Sequence, residues 1–370
     1  MRNFYKIIVF SLLTLSLSLS HAFATDLKIG LSLPLSGDRK NFGEQFLIGA
    51  QLAVQLQTAH KVDLFVVDDG CDESLGELAA TDLAERQPHI VTGYLCNETS
   101  YIAANILRVS NTPILIAGAQ SERLTKDRTR QEWQLWRLSP SDKEEAEIAA
   151  QILSHKWSNE PYAIVDDGTV LGRTLSDIFK AKMEDQNLSA HFVDTFRPTQ
   201  STQARLVRRL ARAGVKNVFV GGGAEDIALI AQNAQQLNIP LQVVGTNSLS
   251  VLPYLNEENR PPNGLLAVLR RDSTLIKEEE MNANAALKEL TTTLSTRNIT
   301  PEDYIFRGFA AMQLSLKAAS SGNVSEIKNA LNSQNFSTIL GDVKFSENGE
   351  NTLSPYALYQ WQDNAFLKLN

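Results

Sequence analysis

The chain has 370 residues, of which 42 are acidic and 35 basic, giving a formal net charge of −7 with two cysteines. Its length suggests two domains at roughly 100–200 residues apiece. The acidic balance, dispersed without long single-sign blocks, excludes the clustered positive field that nucleic-acid binding requires.

At the N-terminus, Arg2 and Lys6 precede an apolar run over 7–19, and Ala22-Phe23-Ala24 form a small-residue cleavage site before Thr25. This predicts a secretory signal peptide over 1–24. The run is about 13 residues, whereas a membrane span needs roughly 20, so the segment reads as a leader and not an anchor. No cysteine stands at the cleavage site to carry a lipid, and no second stretch is long and apolar enough to cross a bilayer, so the mature protein is expected to be soluble. Without Arg2 and Lys6 its net charge is about −9.

Apolar runs predict strands over 27–33, 62–67, 90–91, 113–117 and 135–138, with helical patterns between several of them. One such pattern is 43–57, where Phe46, Ile48, Ala50, Leu52, Ala53 and Leu56 form much of an apolar face. A second set follows, with strands over 162–165, 190–195, 218–220 and 241–244 and helices near 171–183, 202–213 and 226–237. Repeated strand, helix, strand units predict parallel sheets with right-handed crossovers. The densest cationic cluster, Arg205, Arg208, Arg209 and Arg212, falls at helical spacing and reads as a solvated helix face. Leu138-Ser139-Pro140-Ser141 is the first plausible passage between the two sets, and 263–272, strand-like and then polar, suits a second. Helices are expected over 276–294, 303–319 and 324–331. Asn348-Gly349 then supplies hairpin chemistry after 343–345, and 356–361 alternates like a strand.

Cys71 and Cys96 would close a loop of about 26 residues in an oxidising compartment, stabilising the fold by roughly 3 to 4 kcal/mol on a chain-entropy estimate. The alternative is a metal or redox site, but His60, His89, His155 and His191 are too scattered to complete a ligand set, and no metal or cofactor is expected. Catalysis has little support. There is no G-x-S-x-G elbow, and Gly221-Gly222-Gly223 lacks the spacing of a dinucleotide or phosphate loop. Asp68-Asp69 and Asp166-Asp167 follow strands, where acids do acid/base or metal work or simply cap the next helix.

Together these residues carry a resemblance. Pro34-Leu35-Ser36-Gly37, Gly43 and Gly49-Ala50, then Asp68-Asp69-Gly70-Cys71-Asp72, Gly93-Tyr94-Leu95-Cys96, Ala163-Ile164-Val165, Gly172, Gly221-Gly222 and Gly341-Asp342, are similar in colinear order to the branched-chain amino-acid binding proteins of ABC transporters. The resemblance implies an α/β architecture of the type I periplasmic binding protein, two Rossmann-like lobes with parallel sheets joined by a three-strand hinge, with the cysteine pair in family position. The lobes would comprise 25–139 with 271–353, and 140–270 with 354–370. It also implies a monomeric periplasmic protein that closes on a small solute, amino-acid-like or a small carboxylate or amide, and presents it to an inner-membrane ABC permease; a membrane receptor reading closure as a signal is the alternative.

Ligands of open α/β sheets bind beyond the carboxyl ends of strands. Here those loops include Asn97 and Glu98 in the first, and Gly118, Ala119 and Gln120 in the second, each before a helical stretch whose amides and dipole suit an anion. For Asn97 and Thr99, helix capping is the competing role. Phe42 stands where the resembling family places an aromatic over its ligand. In the second lobe Leu171, Gly223 and Asn247 match the places where that family uses aromatic hydroxyls and an acid to grip an ammonium group. A neutral Asn gives an ammonium no charge-assisted hydrogen bond, worth about 1.5 to 3 kcal/mol. Glu98, Asp167, Glu225 and Asp226 are acids close enough in sequence to take over that role. These departures, with Gln120 in place of a small hydroxyl residue, point to a solute larger and less zwitterionic than leucine.

Overall fold

The computed structural model describes residues 26–254, 256–271, 275–276 and 278–369. The signal peptide expected over 1–24 lies outside the described residues, as do 272 in the second passage and 277 in the expected helix 276–294. Among the described residues no helix is long and apolar enough to cross a membrane.

The chain opens with β1 (Leu27–Leu33), α1 (Lys40–Leu56), β2 (Val62–Asp68), α2 (Glu73–Arg86), β3 (Ile90–Gly93), α3 (Asn97–Val109), β4 (Ile114–Ile116), the single turn α4 (Arg123–Lys126) and β5 (Leu135–Arg137). The strands form one parallel sheet in the order β2-β1-β3-β4-β5. Next come α5 (Glu144–Trp157), β6 (Tyr162–Asp166), α6 (Val170–Glu184), β7 (Phe192–Thr195), α7 (Ala204–Arg212), β8 (Asn217–Gly221), α8 (Ala224–Gln236), β9 (Gln242–Gly245), a 3-10 run over Asn247–Tyr254 and β10 (Leu266–Arg270). After α9 (Glu278–Ala283), α10 (Ala285–Thr296), α11 (Asp303–Ala318), α12 (Val324–Ser333) and the short hairpin β11 (Phe336–Thr338) and β12 (Gly341–Val343), the chain ends in β13 (Tyr356–Gln362) and β14 (Ala365–Lys368). The second sheet runs β14-β13-β10-β9-β8-β6-β7, parallel from β7 to β10 and antiparallel at its last two strands. This is the α/β architecture expected from the sequence.

Parallel strands need helices on both faces, and the burial follows. Leu27, Ile29, Leu31 and Leu33 of β1 are fully buried in one core with α1, α10, α11 and α12, while Val91 and Ile114 join α2 and α3 residues in a core on the opposite face. The second sheet is likewise sandwiched, by α7 and α8 on one side and α5 and α6 on the other. On α7, Leu206, Val207 and Leu210 point inward. The arginines Arg205, Arg208, Arg209 and Arg212 stay exposed, and Arg209 pairs with Asp194 at 2.6 Å, so the cluster is a solvated face.

Helix starts are written locally. The Asp72 carboxylate accepts from the Ser74 and Leu75 amides before α2, and the Thr169 hydroxyl from the Gly172 amide before α6. At 346–350 the hairpin expected from Asn348-Gly349 is present, with Gly349 at φ +75° and its amide donating to the Ser346 carbonyl.

The chain passes between the two cores three times: after β5, after β10, and before β13. Helix α11 reaches its place because Gly49 of α1 and Gly308 of α11 let the two backbones touch; a Cβ at Gly49 would collide with the Ile305 carbonyl, and one at Gly308 with the Phe46 carbonyl. Replacing Gly308→Ala is expected to cost about 1–3 kcal/mol, seen as a lower urea midpoint at unchanged slope; an unchanged midpoint would refute the close approach.

Candidate functional site

Both sheets have a point where the strand order reverses. In the first it lies between β1 and β3, and in the second between β6 and β8. Crevices at such points, outside the carboxyl ends of the strands, are where open α/β sheets take ligands. The residues singled out in the sequence follow strands in matching order: Phe42 and Asn97 after β1 and β3, which flank the first reversal, with Gln120 after β4, and Leu171 and Gly223 after β6 and β8, which flank the second, with Asn247 after β9.

In the first set the loops brace one another. The Asn97 side-chain oxygen accepts from the amides of Gln120 and Ser121, at 3.1 and 3.0 Å. The Gly118 and Ala119 amides donate to the Tyr94 carbonyl, and the Ala119 carbonyl accepts from the Ser139 hydroxyl at 2.5 Å. Ala119 is buried. The amides of Gly118, Ala119 and Gln120, in one of the two loops expected from the sequence to face an anion, are thus engaged in holding the loop. Gly118 is required by approach: a Cβ there would lie 2.7 Å from Leu95 Cδ2 and 2.9 Å from its Cα. Glu98 is exposed in the first turn of α3. Cys71 and Cys96 form a disulfide with Cα atoms 5.5 Å apart, which settles the alternatives left by the sequence and ties the loop after β2 to the residue preceding Asn97.

The strand-end acids are occupied structurally. Asp68 accepts from the Leu35 and Gly70 amides, and Asp69 from the Cys71 amide and the Ser32 hydroxyl. Burial pushes the Asp69 carboxyl above its usual range against those two bonds. Asp166 accepts from the Gly168 amide and Asp167 from the Thr169 amide and hydroxyl. Asp226 is bonded to the Thr199 amide, and Glu225 is exposed.

In the second set Leu171 and Gly223 face open space. Leu171 is 67% exposed beside Val170 at 86%, and no atom lies within 4 Å of a Cβ built on Gly223. Asn247 serves as a tie instead. Its amide donates to Glu145 Oε1 at 2.6 Å and its side-chain oxygen accepts from the Arg270 amide at 2.7 Å, linking the first turn of α5 to the second passage. Burial raises Glu145 to about 7, with the Asn247 amide and the Arg270 charge pulling the other way.

Tyr304 and Arg307 of α11 have no sequence signal and emerge only from the packing. Phe42, 42% exposed, stacks on Tyr304 of α11 with ring centroids 4.8 Å apart. The Arg307 guanidinium, ion-paired to Asp303, lies 4.9 Å from the Tyr304 ring centroid. Burial raises the Tyr304 hydroxyl, opposed by the charges of Arg270 and Arg39. Nearby, a cavity of about 290 Å³ is bounded by all three passages, including Ser139, Arg270 and Ser354, and by Ala117, Arg307 and Tyr356. On the first-sheet side, buried Arg137 donates to the Gln120 and Ser121 carbonyls at 2.8 and 2.6 Å and pairs with Glu350, just before the third passage.

A sequence profile described as periplasmic binding protein matches residues 26–365. The chain belongs to the periplasmic binding protein family. Among curated relatives, this binding protein is 25% identical to the Leu/Ile/Val-binding protein BraC3 of Rhizobium johnstonii, over 95% of this chain and 96% of the relative. Among solved structures it superposes on a chain from Rhodospirillum rubrum, provisionally described as a branched-chain amino acid ABC transporter, with TM-score 0.79 and 15% identity, covering 93% of this chain and all of that one. A solute binding protein of an ABC transporter from Rhodopseudomonas palustris, in complex with p-hydroxybenzoic acid, gives TM-score 0.63 at 15% identity over 93% and 95% of the two chains. The type I binding fold and the family expected from the sequence are both found.

For this binding protein, Glu145 couples stability to pH. Its folded-state value near 7 exceeds the unfolded one, so its favourable contribution is complete below about pH 4.5 and lost as pH rises through 7. Glu145→Gln, which keeps the acceptor for Asn247, is expected to stabilise by about 1–3 kcal/mol at pH 8 and by little at pH 4.5; equal melting temperatures at pH 8 would contradict the assignment. Removing the disulfide with Cys71→Ser and Cys96→Ser should cost roughly 3 to 4 kcal/mol in denaturant unfolding, and a loss below 1 kcal/mol would show that the loop is held without it.

Proposed function

We propose that the chain is the exported solute-binding component of an ABC uptake system. Its lobes, 25–139 with 271–353 and 140–270 with 354–370, close on a small solute, and the closed form docks on an inner-membrane permease. The reading is supported above all by one observation: loops after corresponding strands of two sheets, at and beside both reversal points, carry the candidate residues. Exposed Phe42 and Leu171, with open Gly223, would touch the solute. Asn97, Glu98, Gly118, Ala119, Gln120 and Asn247 would frame the site, several of them by holding its loops. Export rests on Arg2, Lys6, the apolar run 7–19 and Ala22-Phe23-Ala24.

Closure follows from differential contact. A solute that touches both lobes only when they are together shifts the population toward the closed form. The cavity bounded by all three passages is the place whose shape must change as the lobes turn. A thermal-shift screen against amino acids, amides, short acids and aromatic compounds identifies the solute, since a ligand at 100 times its dissociation constant stabilises by about 2.7 kcal/mol. Small-angle scattering with that compound should show compaction of the monomer; unchanged dimensions at saturation would remove the closure mechanism.

A further inference from the structure

We propose that α7, on the second sheet, is a membrane-docking face: its exposed arginines Arg205, Arg208 and Arg212 lie on the phosphate head groups of an anionic lipid surface and set the protein down on the membrane where its permease lies. The inference goes beyond the solute reading. It rests on export for the place where such a surface is met, and its test needs neither the solute nor the permease.

The charge of the chain is unevenly placed. Residues 196–216 hold six cations, Arg197, Arg205, Arg208, Arg209, Arg212 and Lys216, and no acid, which leaves about −15 on the rest of the mature chain. All six are exposed. Four of them stand at i, i+3, i+4 and i+7 of α7, so they form one row about 10 Å long, while Leu206, Val207 and Leu210 fix the opposite side of the helix in the core.

Pairing separates this row from other surface cations. Lys40, Lys61, Arg86, Lys143 and Lys182 each lie against an acid. On the row, Arg209 pairs with Asp194 at 2.6 Å, and beyond its end Lys216 pairs with Glu160 at 3.6 Å. Among the described residues Arg205, Arg208 and Arg212 have no partner. The adjoining helix α8 brings two acids, Glu225 and Asp226, both in its first turn, and Asp226 is bonded to the Thr199 amide.

Unpaired guanidiniums are complementary to phosphate, which each can grip through two parallel N–H groups. On an anionic bilayer each cation near the surface strengthens binding about fivefold, so three of them supply on the order of 100-fold. The negative remainder of the chain opposes this weakly. Exposed charges farther off than about 8–10 Å are screened at physiological salt, and the sheet with its core stands between α7 and the layer of α5 and α6. A dissolved polyanion would meet the same cations, but the anionic surface beside which an exported partner of a permease works is the membrane, and a single short row on a convex helix suits a plane of head groups.

The test is flotation of the mature protein with vesicles of phosphatidylcholine alone and of phosphatidylcholine and phosphatidylglycerol in equal parts. Binding is expected to the mixed vesicles at about 0.05 M salt, with little to phosphatidylcholine, and it should be lost at about 0.5 M. The triple variant Arg205→Gln, Arg208→Gln, Arg212→Gln should bind on the order of 100-fold more weakly at an unchanged melting temperature, while lysine at the same three positions retains most of the affinity. Should the glutamine variant fail to fold, Arg208→Gln alone, about fivefold weaker, and the salt and lipid dependence of the unaltered protein decide the matter. No binding to the mixed vesicles at low salt, equal binding to phosphatidylcholine, or a folded glutamine variant that binds as tightly as the unaltered protein overturns the inference. Retention on heparin without vesicle binding overturns it in favour of a dissolved partner. None of these outcomes bears on closure around a solute, which scattering tests separately.

Discussion

A parallel sheet has both faces covered by its own crossover helices, so the one place it can offer a guest is the rim where its strands end. Everything else in the molecule follows from having two such rims in a single chain. Each sheet spends its faces on a sealed apolar core and keeps its loops for polar work. The strand order then selects which loops part to form a crevice, and the selection is the same in both halves.

The rims are prepared in opposite ways. On the first sheet the loops are knitted together by Asn97, by the Tyr94 carbonyl and by the disulfide. On the second sheet the loops end in unaccompanied apolar side chains and a bare glycine. Polar character is concentrated between the two, where Glu145, Asn247 and Arg270 connect the first turn of α5 to the passage after β10. The hinge therefore carries charged groups as well as the chain's passage between the sheets. The ring pair at its mouth depends on a packing detail far below it: α1 carries Phe42 and α11 carries Tyr304, and the two helices reach stacking distance because glycines let their backbones meet.

Most of the fold was legible in the sequence. Strands such as 27–33 and 162–165 are continuous apolar runs of the kind a fully covered sheet produces, and the glycine and acid punctuation fixes where they stop. Helices α2 and α5 were harder to see, because their buried faces are built largely from glycine and alanine, Gly76, Ala79 and Ala80 in one and Ala146, Ala149 and Ala150 in the other, and such faces give little contrast between inside and outside. The loops of the cleft were legible for the same reason as the strands. Their partners were not. Tyr304 sits in the first turn of a helix rich in buried aromatics and reads as one more core residue, and Arg270 reads as the polar end of a strand. Only the return of the chain from the second sheet to the first sets Tyr304 against Phe42 and brings the Arg270 charge near Tyr304. Asn247 stands in a cleft loop as the sequence has it, and its backbone amide and side-chain oxygen are bonded across the hinge.

Arg137 has a mechanical implication. Fully buried at the end of β5, it grips the carbonyls of the Gln120 loop and, through Glu350, the strap on its way back to the second sheet. Loop and strap are latched to one cation, so a tug on either is felt by the other. A protein wired in this way would register damage to the distant strap at Glu350 as looseness in the Gln120 loop.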